Sequence, residues 1–293
     1  MRRRQLMKAI FKRELASYFQ NMSGYAFCAF VLLFAGIFIY ILNLREGYPY
    51  YEYVLSNMTF VYLMAIPVLT MRSFAEERKQ KTDLLLYSLP QTGLKVVLGK
   101  YFSMLAVLLI PILIMAIAPP LLNLYGKINL LSAYGALVAF FLLGAALTAI
   151  GMFFSSLTEN GMIAAIVSFV VFLINYFTSS IANNISAAAG TSLIMFTLLI
   201  ILLALFTAYL TKNKTVAVAA GAVLEAVLLA VYFFASSKLE GAIGKLLSET
   251  SLFEIFNGFL YQIFDLTGIL TILLVMIVFV FLTIQSFEKR RWS

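Results

Sequence analysis

The sequence predicts an all-α polytopic membrane protein with about eight transmembrane helices, an N-terminal interfacial helix and both termini in the cytoplasm. Three observations carry this. Hydrophobic residues make up 63% of the 293 and charged residues only 12%, where soluble domains hold about 45–50% and about 25%. Mean hydropathy is +0.98, and apolar runs of transmembrane length recur from end to end with no polar domain between them. One bundle, residues 1–293, therefore reads as a single transmembrane domain. Lysine and arginine, finally, gather in alternate segments between the runs.

The first 24 residues, MRRRQLMKAIFKRELASYFQNMSG, open with positive charge but reach an apolar run late and show no small-residue cleavage site, so the segment reads as retained. On a helix Leu6, Met7, Ile10, Phe11, Leu15, Tyr18 and Phe19 share one face, and Arg2, Arg3, Lys8, Lys12 and Arg13 lie mostly on the other. That pattern suits a helix in the interface of an anionic leaflet.

Backbone amides inside hydrocarbon need internal partners, so apolar runs of about 17–25 residues read as helices. The spans are 25–42, 54–71, 96–118, 131–154, 162–181, 193–210, 216–235 and 266–287. Pro67, Pro111, Pro119 and Pro120 fall within or at the ends of spans two and three, where neighbouring helices can satisfy the carbonyls they free. With both termini inside, 17 of the 21 basic residues face the cytoplasm, and only Arg45, Lys127, Lys238 and Lys245 lie outside. This is the positive-inside bias. A six-span alternative with both runs of 182–236 re-entrant keeps the same orientation, but Lys212 and Lys214 at their turn favour a hairpin inserted fully across the membrane. Residues 237–265 form an extracytoplasmic amphipathic segment whose Phe253, Phe256, Phe259, Tyr261 and Phe264 suit an interfacial helix.

Composition also excludes chemistry. Histidine is absent and Cys28 is the single cysteine, so imidazole or thiolate metal sites, His bases and intramolecular disulfides are excluded. Glu249 and Glu254 have no nucleophile and base beside them in the sequence and are not read as catalytic. The net charge of +8 is accounted for by basic loops on one side of a membrane, and no aromatic-interleaved basic domain points to nucleic acid. The nearest approach to a phosphate-binding loop, GLKVVLGKY from Gly93 to Tyr101, has five residues between its glycines and Tyr101 where Ser or Thr would meet magnesium. No catalytic residue, metal site or cofactor bound by this chain is expected.

The stretch FAEERKQKTDLLLYSLP, from Phe74 to Pro90, is charged where its surroundings are oil. It reads as a helical stalk carrying span two into the cytoplasm, followed by a short amphipathic helix. Thr82 is its N-cap, Asp83 sits in its first turn, and Pro90 ends it. Leu84, Leu85, Leu86 and Leu89 need burial, in the lipid interface or on a protein. Charge of both signs, from Glu76, Glu77, Arg78, Lys79, Lys81 and Asp83, suits a protein surface better than a headgroup layer. Two polar residues inside spans stand out besides. Glu225 is the ionisable residue near the middle of span seven, where it has either a substrate or proton role or a bond to a neighbouring helix. Asn175 in span five, with Tyr176, Asn183 and Asn184 near it, either lines a pathway or bonds between helices.

The segment FAEERKQKTDLLLYSLPQTGLKVVLGKYFS resembles the connection between the second and third helices of type-2 ABC transporter permeases. In that family an acidic pair and basic residues precede Thr, an acid, leucines, a Pro and a hydrophobic-Gly-Lys-aromatic start of the next helix. Glu76, Glu77, Arg78, Thr82, Asp83, Leu84, Leu85, Leu86, Pro90, Leu98, Gly99, Lys100 and Tyr101 match it, while Lys81 stands where the family usually has Gly. FFSSLTENGMIAAIVSF, Phe153 to Phe169, resembles the cytoplasmic turn between the fourth and fifth helices. The C-terminal segment from Ser251, ending Glu288 to Trp292, resembles the gliding-motility and nitrous-oxide-reductase-maturation branch. The hairpin of spans six and seven exceeds the usual six-helix pattern.

The resemblance implies a permease subunit of an ATP-driven transporter, an exporter, in the bacterial cytoplasmic membrane. It implies a separate cytoplasmic P-loop ABC ATPase that carries ATP and magnesium. Glu76, Glu77, Arg78, Thr82, Asp83, Leu84, Leu85 and Leu86, with the turn Thr158, Glu159 and Asn160, would transmit force from that ATPase. A second permease subunit completes the pathway, and an extracytoplasmic accessory subunit occurs in that branch. The alternative is a stand-alone secondary transporter or a membrane-embedded lipid enzyme that uses Glu225; scattered acids, missing histidine and the absence of visible inverted repeats count against it.

Overall fold

Each apolar run folds as a helix, because only helices satisfy a long apolar segment's own amides. The computed structural model describes residues 2–79, 81, 93–211, 214–234, 236, 239–260 and 266–292. Helix α1 covers Arg2–Gln20, α2 Ser23–Phe38 with a π-helical continuation Ile39–Arg45, α3 Glu52–Thr70, α4 Ala75–Lys79 and α5 Gly93–Met115. Then follow α6 (Ala118–Asn123), α7 (Leu130–Leu157), α8 (Gly161–Asn184), α9 (Ala189–Thr211) and α10 (Lys214–Phe234). Helices α11 (Ala242–Thr250), α12 (Leu252–Leu260) and α13 (Leu266–Trp292) complete the order, and no strand occurs among the described residues.

Among the described residues six helices are long and apolar enough to cross a membrane: Ser23–Arg45, Glu52–Lys79, Gly93–Asn123, Leu130–Leu157, Gly161–Ala182 and Leu266–Arg290. The predicted sixth and seventh spans are the helices α9 and α10, of which the described apolar stretches are the shorter Ala189–Ile201 and Ala222–Phe233. The first span runs past its predicted end at residue 42, because π-helical turns carry the chain to Arg45. Its polar end is closed by Asn43, whose Nδ2 donates to the carbonyl of Tyr48 at 2.8 Å.

The chain divides into two compact units, Met1–Ile174 with Ile255–Ser293, and Asn175–Glu254. In the first unit α3 and α7 form the core, with 67% and 72% of their apolar windows buried against 22–39% in α2, α5 and α13. Small residues let α7 come close. A Cβ on Gly151 would lie 2.4 Å from Thr70 Oγ1, and on Gly144 3.0 Å from the Tyr62 ring, which itself stacks on Phe140 at a centroid distance of 4.1 Å. Pro111 inside α5 cannot donate to the carbonyl of Val107. The Cys28 thiol points at that oxygen from α2, with Sγ at 3.9 Å, which gives the buried cysteine a partner.

The predicted interfacial helix is α1. Ile10 and Tyr18 on its apolar face are buried, Lys8, Lys12 and Arg13 are exposed, and the helix lies along α5. Protein rather than lipid alone therefore covers its apolar face. In the second unit α9 and α10 pack together as a hairpin and α11 rests on α9. The single amphipathic helix expected within 237–265 is two, α11 and α12, separated at Ser251, whose φ of −76° and ψ of 110° are extended.

Candidate functional site

The helical stalk predicted after span two is instead a buried turn. Helix α3 stops at Thr70, the chain turns through residues 71–74, and the five-residue α4 begins at Ala75. Ser73, Phe74, Ala75 and Arg78 are buried. A helix this short cannot satisfy its own first amides, and Ser155 of α7 supplies the missing acceptor. Its Oγ accepts from the amides of Phe74 and Ala75 at 3.2 Å each and donates to the Met71 carbonyl at 3.1 Å. Glu76 and Glu77 in the first turn of α4 and Arg78 and Lys79 in its last complement the helix dipole. Lys81 ends the described segment with φ +56°, and its amide donates to the Arg78 carbonyl at 3.0 Å.

Arg78 joins this segment to the turn between α7 and α8. Its guanidinium donates to the Ser156 carbonyl and, at 3.5 Å, to that of Thr158. The C-terminal helix shares the Ser156 carbonyl and adds contacts beside it: Ser286 Oγ donates to Ser156 O at 3.2 Å, and Arg290 donates to Leu157 O at 3.2 Å and to Glu159 at 3.4 Å. Within the turn, Thr158 Oγ1 accepts from the Asn160 amide at 3.1 Å, and Asn160 Oδ1 caps α8 by accepting from Met162 at 3.0 Å. A cavity of about 500 Å³ opens here between Lys79, the residues Leu157 to Asn160, and Arg290.

Behind α4 four charges from three helices meet. Lys100 of α5 has a side chain only 2% exposed, and its Nζ lies 3.2 Å from Glu14 and 2.9 Å from Glu77. Arg13 closes the ring at 2.6 Å from Glu14 and 3.2 Å from Glu77. The Phe74 ring, 5.2 Å from Nζ, covers the ammonium. Burial pushes the Glu14 carboxyl up, but Lys100 and Arg13 outweigh it and hold the group below the usual carboxylate range. A polar cavity of about 480 Å³ adjoins, walled by Arg13, Glu14, Arg72, Glu76 and Glu77 among others.

The structure thus brings Arg78 onto Thr158 and Lys79 to the cavity lined by Thr158, Glu159 and Asn160, whereas Glu76 pairs with Arg72 and Glu77 with Arg13 and Lys100; Thr82, Asp83, Leu84, Leu85 and Leu86 lie outside the described residues. Glu225 and Asn175 belong to the second unit. Glu225 Oε1 accepts from Thr197 Oγ1 at 2.8 Å, a bond between the two helices of the hairpin. Asn175 ties the α11–α12 connection, donating to Thr250 O at 3.1 Å and accepting from the Leu252 amide at 3.0 Å. Sequence reasoning missed Glu14, Ser155 and Arg290 as parts of the junction. The signal for Glu14 was present, since it is the sole acid in the first 24 residues.

Residues 42–189, just over half of the chain, match the family described as ABC-2 family transporter protein. The chain belongs to this family. No curated protein matches it. The protein is accordingly an integral membrane protein and a permease subunit of an ABC transporter. The matched region contains α4, Lys100 and the 158–160 turn, whereas Arg13, Glu14 and Arg290 lie outside it.

Proposed function

We propose that this permease works in an ATP-driven exporter in which a separate cytoplasmic ATPase binds and hydrolyses ATP with magnesium and pushes on residues 72–95 and 158–160. The observation that carries the reading is the Arg78 guanidinium on the carbonyls of Ser156 and Thr158. It makes one mechanical piece of the two segments that the family resemblance assigns to the ATPase. Force applied at Leu84, Leu85 and Leu86 reaches α3 and α5, and through Arg78 it reaches α7 and α8. A second permease subunit completes the pathway, the membrane is the bacterial cytoplasmic one with both termini inside, and this chain itself catalyses no reaction. The gliding-motility and nitrous-oxide-reductase-maturation branch is the functional analogy for this reading, and an extracytoplasmic accessory subunit is compatible with it.

Glu225 is part of the hairpin in this reading. Its bond to Thr197 gives the carboxyl a partner within the hydrophobic hairpin, as an intramembrane polar group requires, without a proton pathway.

The test is retention of the ATPase. Leu84→Ser, Leu85→Ser and Leu86→Ser introduced together should leave the permease inserted but remove the ATPase from detergent extracts of the membrane. Full retention of the ATPase by that variant would overturn the docking assignment.

A further inference from the structure

We infer that Lys100 and Glu14 are positioning residues for the ATPase-facing segment, forming a charge ring that makes the N-terminal helix move with α4. The inference rests on the transporter reading for the source of the motion but on the geometry alone for the tie.

The ring is built as a coupling needs to be. Its members come from α1, α4 and α5, with Glu14 and Glu77 separated by more than sixty positions in the chain and bridged by both Lys100 and Arg13. Two acids and two bases leave it neutral, so burial of Lys100 at 2% exposure is compensated by direct charge partners. Glu77 Oε1 is shared, accepting both the Lys100 ammonium at 2.9 Å and the Arg13 guanidinium at 3.2 Å. Loss of either cation leaves the two carboxylates sharing a single positive charge. Such pairs are directional where apolar contacts slide, and fixing register is the best-attested use of a buried ion pair. Position adds to this. Lys100 lies in the second turn of the third span, Glu77 lies on the segment that leads to the docking leucines, and Glu14 lies in the C-terminal half of α1. Tyr18, one turn beyond Glu14, adds a second tie by donating to the Leu69 carbonyl at 3.3 Å. A push on α4 therefore reaches α1 through named atoms.

Distances between spin labels test this, with Cys28→Ala as the background and labels on the exposed positions Ala16→Cys in α1, Lys79→Cys in α4 and Lys127→Cys in the α6–α7 loop. In the permease alone, in lipid nanodiscs, the 16–79 distance distribution should be narrow in the parent and in Lys100→Arg, and broad in Lys100→Met. Glu14→Gln, which keeps the buried Lys100–Glu77 pair, should broaden it too and stands in if Lys100→Met does not fold. A distribution as narrow as the parent's in both neutral variants overturns the tie. In the complex with its ATPase, trapping with ATP and vanadate should shift both the 16–127 and 79–127 distances. Lys100→Met should lose the first shift and keep the second; persistence of both would overturn the transmission role. No nucleotide-driven shift in the parent would instead overturn the transporter reading, and the tie would stand on the first arm alone.

Discussion

Lys81 occupies the left-handed region, with φ +56°, at the position where the family resemblance leads to an expectation of Gly. An L-residue loses about 1–2 kcal/mol there, so the tight turn exists here despite a side chain that opposes it. Lys81→Gly is expected to leave the fold unchanged and raise thermal stability in detergent, and a fall in melting temperature would contradict this. The reverse holds at Gly151, where a Cβ would meet Thr70 Oγ1 at 2.4 Å. Gly151→Ala should cost about 1–3 kcal/mol by overpacking the α3–α7 contact, read as a lowered melting temperature. The charge ring has a sign that pH reveals. Because Glu14 is held below its ordinary value by Lys100 and Arg13, its contribution to docking α1 is present above the unfolded carboxylate value of about 4.3 and is lost as pH falls through the depressed value. Proteolysis between Gln20 and Ser23 should therefore accelerate on acidification below about pH 4 in the parent, and less so in Glu14→Gln. At this scale the sequence showed the chemistry but not the pairing. Lys100 and Glu77 were both conspicuous in a charged segment, yet nothing in their spacing reveals that a carboxylate from α1 closes the ring.

Helix existence was legible because long apolar runs leave little alternative in hydrocarbon, and every predicted span has its helix. The segment between spans two and three was less legible. Helix-forming residues from Arg72 onward predicted a continuous stalk, whereas the structure breaks it at residues 71–74 and buries one face. Ser155 is the reason, since its hydroxyl satisfies the amides that a continuing helix would have paired internally. Local propensity carries no record of an acceptor eighty residues away. Ser155→Ala would leave buried amides without that acceptor at a cost of about 1–3 kcal/mol and should loosen α4, seen as faster hydrogen exchange at Phe74 and Ala75; unchanged exchange would contradict the assignment. The inserted hairpin of α9 and α10 carries a topological prediction. If it crosses fully, a cysteine at Asn213 reacts with an impermeant maleimide only from the cytoplasmic side and one at Ser186 only from the outside. Both reacting from the outside would make the hairpin re-entrant.

For the whole molecule, composition established the membrane class and the absence of histidine chemistry, and the motif order pointed to the family that the matched region then showed. Long-range geometry remained hidden, because the junction is assembled from α1, α4, α5, α7 and α13 and no single stretch encodes it. The central claim is that this junction receives work from a separate ATPase. The most direct measurement is isolation of the unaltered permease from its native membrane in mild detergent, with identification and quantification of whatever accompanies it. The account predicts a P-loop ATPase in stoichiometric amount, released when Leu84 to Leu86 are made polar. A permease that comes away alone and transports without ATP would contradict it.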